Sequence, residues 1–174
     1  MIRTGFDWRR WALLAALACV AGARCSTEDS DRATDLGSMM AETTSLKINE
    51  HKFQVWAADD DAERARGLMF VTADQMAPLP DGSERGMWFM FPRDQTTAQG
   101  FWMKDTIIPL DIAFVRADGR IVTIRTMAPR DEGSYYSKAP YRYALEVNGN
   151  LFSRLGIREG HRIDIPKSLL KTTR

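Results

Sequence analysis

The chain has 174 residues, 24 Lys plus Arg against 23 Asp plus Glu, and a net charge of +1. That balance gives no basic footprint for nucleic acid. The two cysteines, Cys19 and Cys25, both stand near the N-terminus, so the body of the chain is no disulfide scaffold and offers no thiol nucleophile.

Residues 1–25 read as an export signal. Arg3, Arg9 and Arg10 open it, and Trp11 to Val20 is an apolar run. The run is shorter than the roughly 20 residues a spanning helix needs. Ala21-Gly22-Ala23 is an A-x-A cleavage site. Leu17-Ala18-Cys19 resembles a lipobox, which makes Cys19 the candidate for lipid attachment and the membrane anchor the alternative to simple cleavage. The expected location is therefore the periplasm, free or as an anchored lipoprotein. These residues hold four Arg and one Asp, which leaves 20 basic and 22 acidic side chains, a net of −2, in the rest. Residues 26–43 are a polar linker, 44–170 a single domain with enough apolar content for a core, and 171–174 a tail.

Within the domain, Leu46–Ile48 and Phe53–Trp56 alternate around Asn49-Glu50-His51 and predict a hairpin. Asp60 with Glu63 is a capping box for a short helix that Gly67 stops. Met87–Phe91 is expected as a strand closed by Pro92. Phe101–Lys104 and Leu110–Val115 follow as strands, parted by Pro109. Ala117-Asp118-Gly119 turns into Ile121–Met127. After a long loop, 128–140, come a strand Tyr141–Val147, a short helix Asn150–Leu155 and a last strand His161–Ile165. About eight short strands with two or three short helices predict a mainly β sandwich or barrel, jelly-roll-like, rather than a parallel α/β sheet.

No H-E-x-x-H, Cys/His cluster, G-x-S-x-G elbow or phosphate loop is present, so neither cofactor nor metal is expected. The charges inside apolar strands are the candidates for a site, because an unpaired buried charge costs several kcal/mol. Alternation sets Asp111 with Ala113 and Val115, away from Leu110, Ile112 and Phe114. It sets Glu146 with Ala144 and Arg142, away from Tyr143 and Leu145, and Lys104 with Trp102. The expectation is that Lys104, Asp111 and Glu146 converge with Arg66, flanked by Trp102 and Tyr143. Ion pairs that fix strand register are the competing explanation. Trp56, Trp88, Trp102, Tyr135, Tyr136 and Tyr143 are candidates for a sugar platform against core packing. The methionines of the strands invite either Cu(I) or, with greater weight, packing.

Glu63-Arg64-Ala65-Arg66-Gly67-Leu68-Met69, Phe101-Trp102-Met103-Lys104-Asp105-Thr106, Pro109-Leu110-Asp111 and Tyr143-Ala144-Leu145-Glu146-Val147 together resemble the prokaryotic family catalogued as domain of unknown function 192. The resemblance runs over residues 46–166. It implies a mainly β single domain, often behind an export signal, and matches Arg66, Lys104, Asp111 and Glu146 to the family's polar positions. At Asp105 the family usually has Asn. The function expected is a non-catalytic envelope module that binds a small ligand, glycan or anionic, or an envelope protein. The alternatives are a glycan hydrolase or lyase using Asp111 and Glu146, and a structural partner in an envelope assembly.

Overall fold

A computed structural model describes residues 42–170. The expected export signal with Cys19, the expected linker up to residue 41 and the tail lie outside the described residues.

β1 (Thr44–Ile48) and β2 (His51–Ala58) form the expected hairpin, with Ile48 opposite His51 and Asn49 at φ +53° in the turn. Asn accepts this left-handed backbone better than larger side chains do. Helix α1 (Asp61–Arg66) begins at the predicted capping box. Asp60 Oδ1 accepts from Glu63 N at 2.8 Å, and Glu63 Oε2 accepts from Asp60 N at 3.3 Å. A helix of six residues has little stability of its own, so the cap and its packing hold it.

β3 (Glu84–Gln95) lies parallel to β2, Trp56 beside Met87. The run of short strands gave no sign of this parallel pair. Helix α1 and residues 67–83 supply the long crossover that it requires. Pro92 does not close the strand as expected. It falls in the irregular stretch between Met90 and Gln95, where the ladder with the neighbouring strand is interrupted and no proline N–H is missed. The expected strand Phe101–Lys104 is cut to β4 (Gly100–Phe101), and Trp102–Thr106 becomes a turn. β5 (Leu110–Val115), β6 (Ile121–Met127), β7 (Tyr135–Tyr136), β8 (Tyr141–Asn148), α2 (Leu151–Arg154) and β9 (Ile163–Asp164) complete the order.

The main sheet has seven strands in the order β6-β5-β8-β3-β2-β1-β9, and β4 pairs with β7 in a separate ribbon. The sheet curls into a half-barrel, which bears out the mainly β reading. Its two edges meet at one place: Ile121 N donates to His161 O at 2.9 Å, and Ile163 N to Gly119 O at 2.9 Å. β9 is short for a chemical reason. The Lys47–Asp164 register would set Pro166 opposite Ser45, and proline has no N–H to extend the ladder.

The inner face carries the core. Phe53, Val55, Trp88, Val115, Tyr143, Leu145 and Val147 pack there with Leu151 and Phe152 of α2. Trp88 stacks on Tyr143 with centroids 5.1 Å apart, and its Nε1 donates to Leu169 O at 3.2 Å. Burying each such ring contributes roughly 2–3 kcal/mol. The outer face of β3, β8 and β5 is covered by a layer of α1, the long loops and the β4–β7 ribbon. Ala144 stands between Phe89 and Phe114 in register. Its small side chain leaves room for Phe101 from the layer, which meets both rings edge-on at 5.1 and 5.6 Å.

Candidate functional site

Two residues along β8 from Ala144, Glu146 takes the equivalent place between Met87 and Ile112. The segment that follows α1 passes over it. Gly67 comes close: a Cβ built there would lie 4.0 Å from Glu146 Oε2 and 3.5 Å from the Phe89 ring. Glu146 is 4% exposed, and no hydrogen bond or ion pair from the described residues reaches its carboxyl. Burial alone pushes its pKa up from 4.5 to about 8. At neutral pH this side chain is therefore largely an uncharged acid that can donate as well as accept a hydrogen bond.

Two segments of the covering layer carry other expected site residues. Arg66, half-buried at the end of α1, directly precedes Gly67. Gly67 holds φ +51°, and the chain then continues through Leu68 to Phe70. Phe70 N donates to Asp105 O at 2.9 Å, which ties this segment to the Trp102–Thr106 turn. That turn is also pinned from behind: Met103 N donates to Asp131 O at 2.8 Å, and Arg130 N to Thr106 O at 2.9 Å. Its tip is exposed. Trp102 is half exposed, and Lys104 Nζ sits 5.4 Å from the centre of its indole. Asp105 holds φ +54°. Asn and Asp both tolerate this backbone, so the change from the family's usual Asn keeps what the turn requires. Gly67→Ala tests the first segment. The Cβ has room but the conformation resists it, so a loss of about 1–2 kcal/mol is expected in urea unfolding. An unchanged midpoint would mean that the backbone relaxes there.

Asp111 and Tyr143 do not join this group. The register sets Ile112, not Asp111, beside Glu146, so Asp111 points to the inner face. There it is 1% exposed and fully engaged. Asp111 Oδ1 accepts from Thr126 Oγ1 at 2.7 Å and from Asn150 N at 2.9 Å, and Oδ2 accepts from Phe152 N at 3.1 Å. Asn150 offers α2 no side-chain cap, so a carboxylate from a distant strand supplies it. Tyr143 is in the core against Trp88. The structure thus sets Gly67, next to Arg66, against Glu146 and ties the Trp102–Thr106 turn to that segment through Phe70, while Asp111 and Tyr143 face the other side of the sheet. Sequence reasoning took Gly67 only as a helix stop and passed over Phe70. Their signal was the unbroken Arg66-Gly67-Leu68-Met69-Phe70 stretch.

Of the candidate platform, Trp56, Trp88 and Tyr143 are buried, while Trp102 and Tyr136 are exposed. Met76, Met87, Met103 and Met127 are fully buried. Among the described residues no group of three or more His, Cys, Asp or Glu side chains is placed to hold a metal ion. An open cavity of about 630 Å³ between the β1 edge and Ala117–Gly119 includes none of the expected site residues.

A curled mainly β half-barrel with a lone buried acid on its covered outer face defines the class of domain. The chain belongs to the family DUF192, described as uncharacterized ACR, COG1430, whose profile matches residues 44–165. It is similar to a crystal structure from Sinorhizobium meliloti 1021, proposed to be a transcription regulator. Identity is 35% over 69% of this chain and 89% of that one, with a TM-score of 0.60. It is also similar to a protein of unknown function from Novosphingobium aromaticivorans DSM 12444. There identity is 31% over 74% of this chain and 96% of the other, with a TM-score of 0.61. No curated protein matches.

Proposed function

We propose that this protein is an exported cell-envelope binding module that holds a small polar ligand over Glu146, with Arg66 and Lys104 at the rim. The observation that carries this reading is Glu146 itself, a buried acid with no partner among the described residues, with Gly67 as its neighbour in the covering layer. Such a group costs stability, and groups of this kind cluster at functional sites. Arg66 and Lys104 favour anionic or hydroxyl groups on the ligand, and an uncharged Glu146 does not repel them. The N-terminal signal features support action outside the cytoplasm, with the domain cleaved free or anchored at Cys19. A hydrolase built on Asp111 and Glu146 loses its geometry, since the two carboxyls face opposite sides of the sheet and cannot flank one bond. Regulation of transcription, suggested for the Sinorhizobium protein, finds no support in a net charge of −2 beyond residue 25.

Native mass spectrometry of the full chain, purified gently from its own envelope, tests the proposal. The expected result is a stoichiometric small-molecule adduct on the wild type. It should be weakened about ten-fold or more by Lys104→Ala and by Glu146→Leu. A bare wild-type protein, or an adduct indifferent to both changes, would overturn it. The same spectrum reads the mature N-terminus.

A further inference from the structure

Five large apolar side chains are exposed among the described residues: Phe70, Trp102, Ile107, Tyr136 and Leu170. The first four belong to the layer over the outer face, on segments joined by the Phe70–Asp105 bond, the Arg130–Thr106 bond and the β4–β7 ribbon. Such clustering marks a surface that meets something.

The ribbon shows how two of these rings are presented. Gly100 stands opposite Tyr136, and a Cβ at Gly100 would lie 2.9 Å from a carbon of the Tyr136 ring. The absent side chain lets the tyrosine lie across the strand. Phe101 packs inward against Phe89 and Phe114, and Trp102, the residue just beyond the end of β4, is exposed. Tyr136 is 47% and Trp102 50% exposed, so the ribbon and the residue that follows it present two aromatic rings with much of their surface open. Polar groups ring them. Lys104 stands over the indole, and Asp105, Arg130 and Glu132 are exposed on the adjoining turns. Behind, Tyr135 Oη donates to Asp131 Oδ2 at 2.6 Å and accepts from Ala128 N at 3.2 Å, which braces the β7 side of the ribbon.

We propose that the exposed surface of the β4–β7 ribbon and Trp102 is a carbohydrate-binding platform. Tyr136 and Trp102 stack on the apolar faces of successive sugar rings, and Lys104 and Asp105 bind their hydroxyl groups. A sugar chain matches both parts of the surface, because its rings have a C–H face and a hydroxyl edge. An anionic bilayer matches it less well, since Asp105 and Glu132 stand among the rings and would be repelled. The platform shares Lys104 with the small-ligand site but not Glu146; its test uses the two rings alone, so it stands or falls apart from the small-ligand reading.

Retention of the full chain on insoluble peptidoglycan, chitin and cellulose tests it. Retention by at least one polymer is expected. Trp102→Ala and Tyr136→Ala should each weaken it about ten-fold, the loss of one stacked ring. Leu170→Ala, equally exposed but outside the ribbon, should leave it unchanged. Unaltered thermal melts would show that the variants fold. Retention by none of the three polymers overturns the proposal, as does retention that ignores the ring variants. So does binding confined to phosphatidylglycerol vesicles, or to a co-purifying protein, that Trp102→Ala abolishes.

Discussion

Asp111→Ala is expected to lower the unfolding free energy by about 3–5 kcal/mol, a large part of what holds a domain of this size. The carboxylate accepts three hydrogen bonds in a site closed to water. Its loss strands two backbone donors at the start of α2, where no other cap exists. Leu151 and Phe152 of that helix belong to the inner core, so the damage spreads into packing. Asp111→Asn keeps one acceptor oxygen and should lose about half as much. Urea unfolding at neutral pH reads both. Because Asp111 faces away from Glu146, the Asn variant should still carry whatever ligand the wild type carries. An Asp111→Ala protein as stable as the wild type would show that the helix start is held by something else.

Glu146 makes stability fall as pH rises. Its acid is about 4.5 when the chain is unfolded and about 8 when folded, so between these values the native state binds the extra proton. The contribution of this group is then highest below 4.5, declines through neutrality and levels off above about 8. The full swing is on the order of 4–5 kcal/mol. Glu146→Gln removes the titration and should flatten the profile, overtaking the wild type at pH 9. Urea midpoints at pH 5, 7 and 9 would decide this; parallel profiles for the two proteins would refute it. An anionic ligand over Glu146 should follow the same curve and leave as the carboxylate forms.

The sequence made local features legible wherever a short-range rule applied. The capping box at Asp60 and Glu63, the turn at Asn49 and the alternation within β5 and β8 all follow from neighbours along the chain. The side of the sheet shared by two strands does not. Alternation correctly opposed Asp111 to Ile112 and Glu146 to Leu145, but only the pairing of Ile112 with Glu146 shows that the two carboxyls look away from each other. Phe101–Lys104 reads as strand because it is mostly apolar and stands before the break at Pro109. The shape of the Trp102–Thr106 turn comes from three long-range backbone bonds, to Phe70, Arg130 and Asp131, that no local pattern reports. Gly67 has two duties, ending α1 and passing close to Glu146, and only the first has a local signature.

The position of β8 bears on when this chain can fold during its synthesis. In the sheet of the described residues, β8 lies between the β5–β6 pair and β3, β2, β1 and β9. It begins at Tyr141, and β9, which flanks β1, begins at Ile163. A growing chain that has reached Pro140 owns two pieces of sheet with nothing between them. The two pieces can therefore join into one sheet only after the final segment emerges. If the proposed export holds, that delay keeps the two halves apart while the chain crosses the membrane.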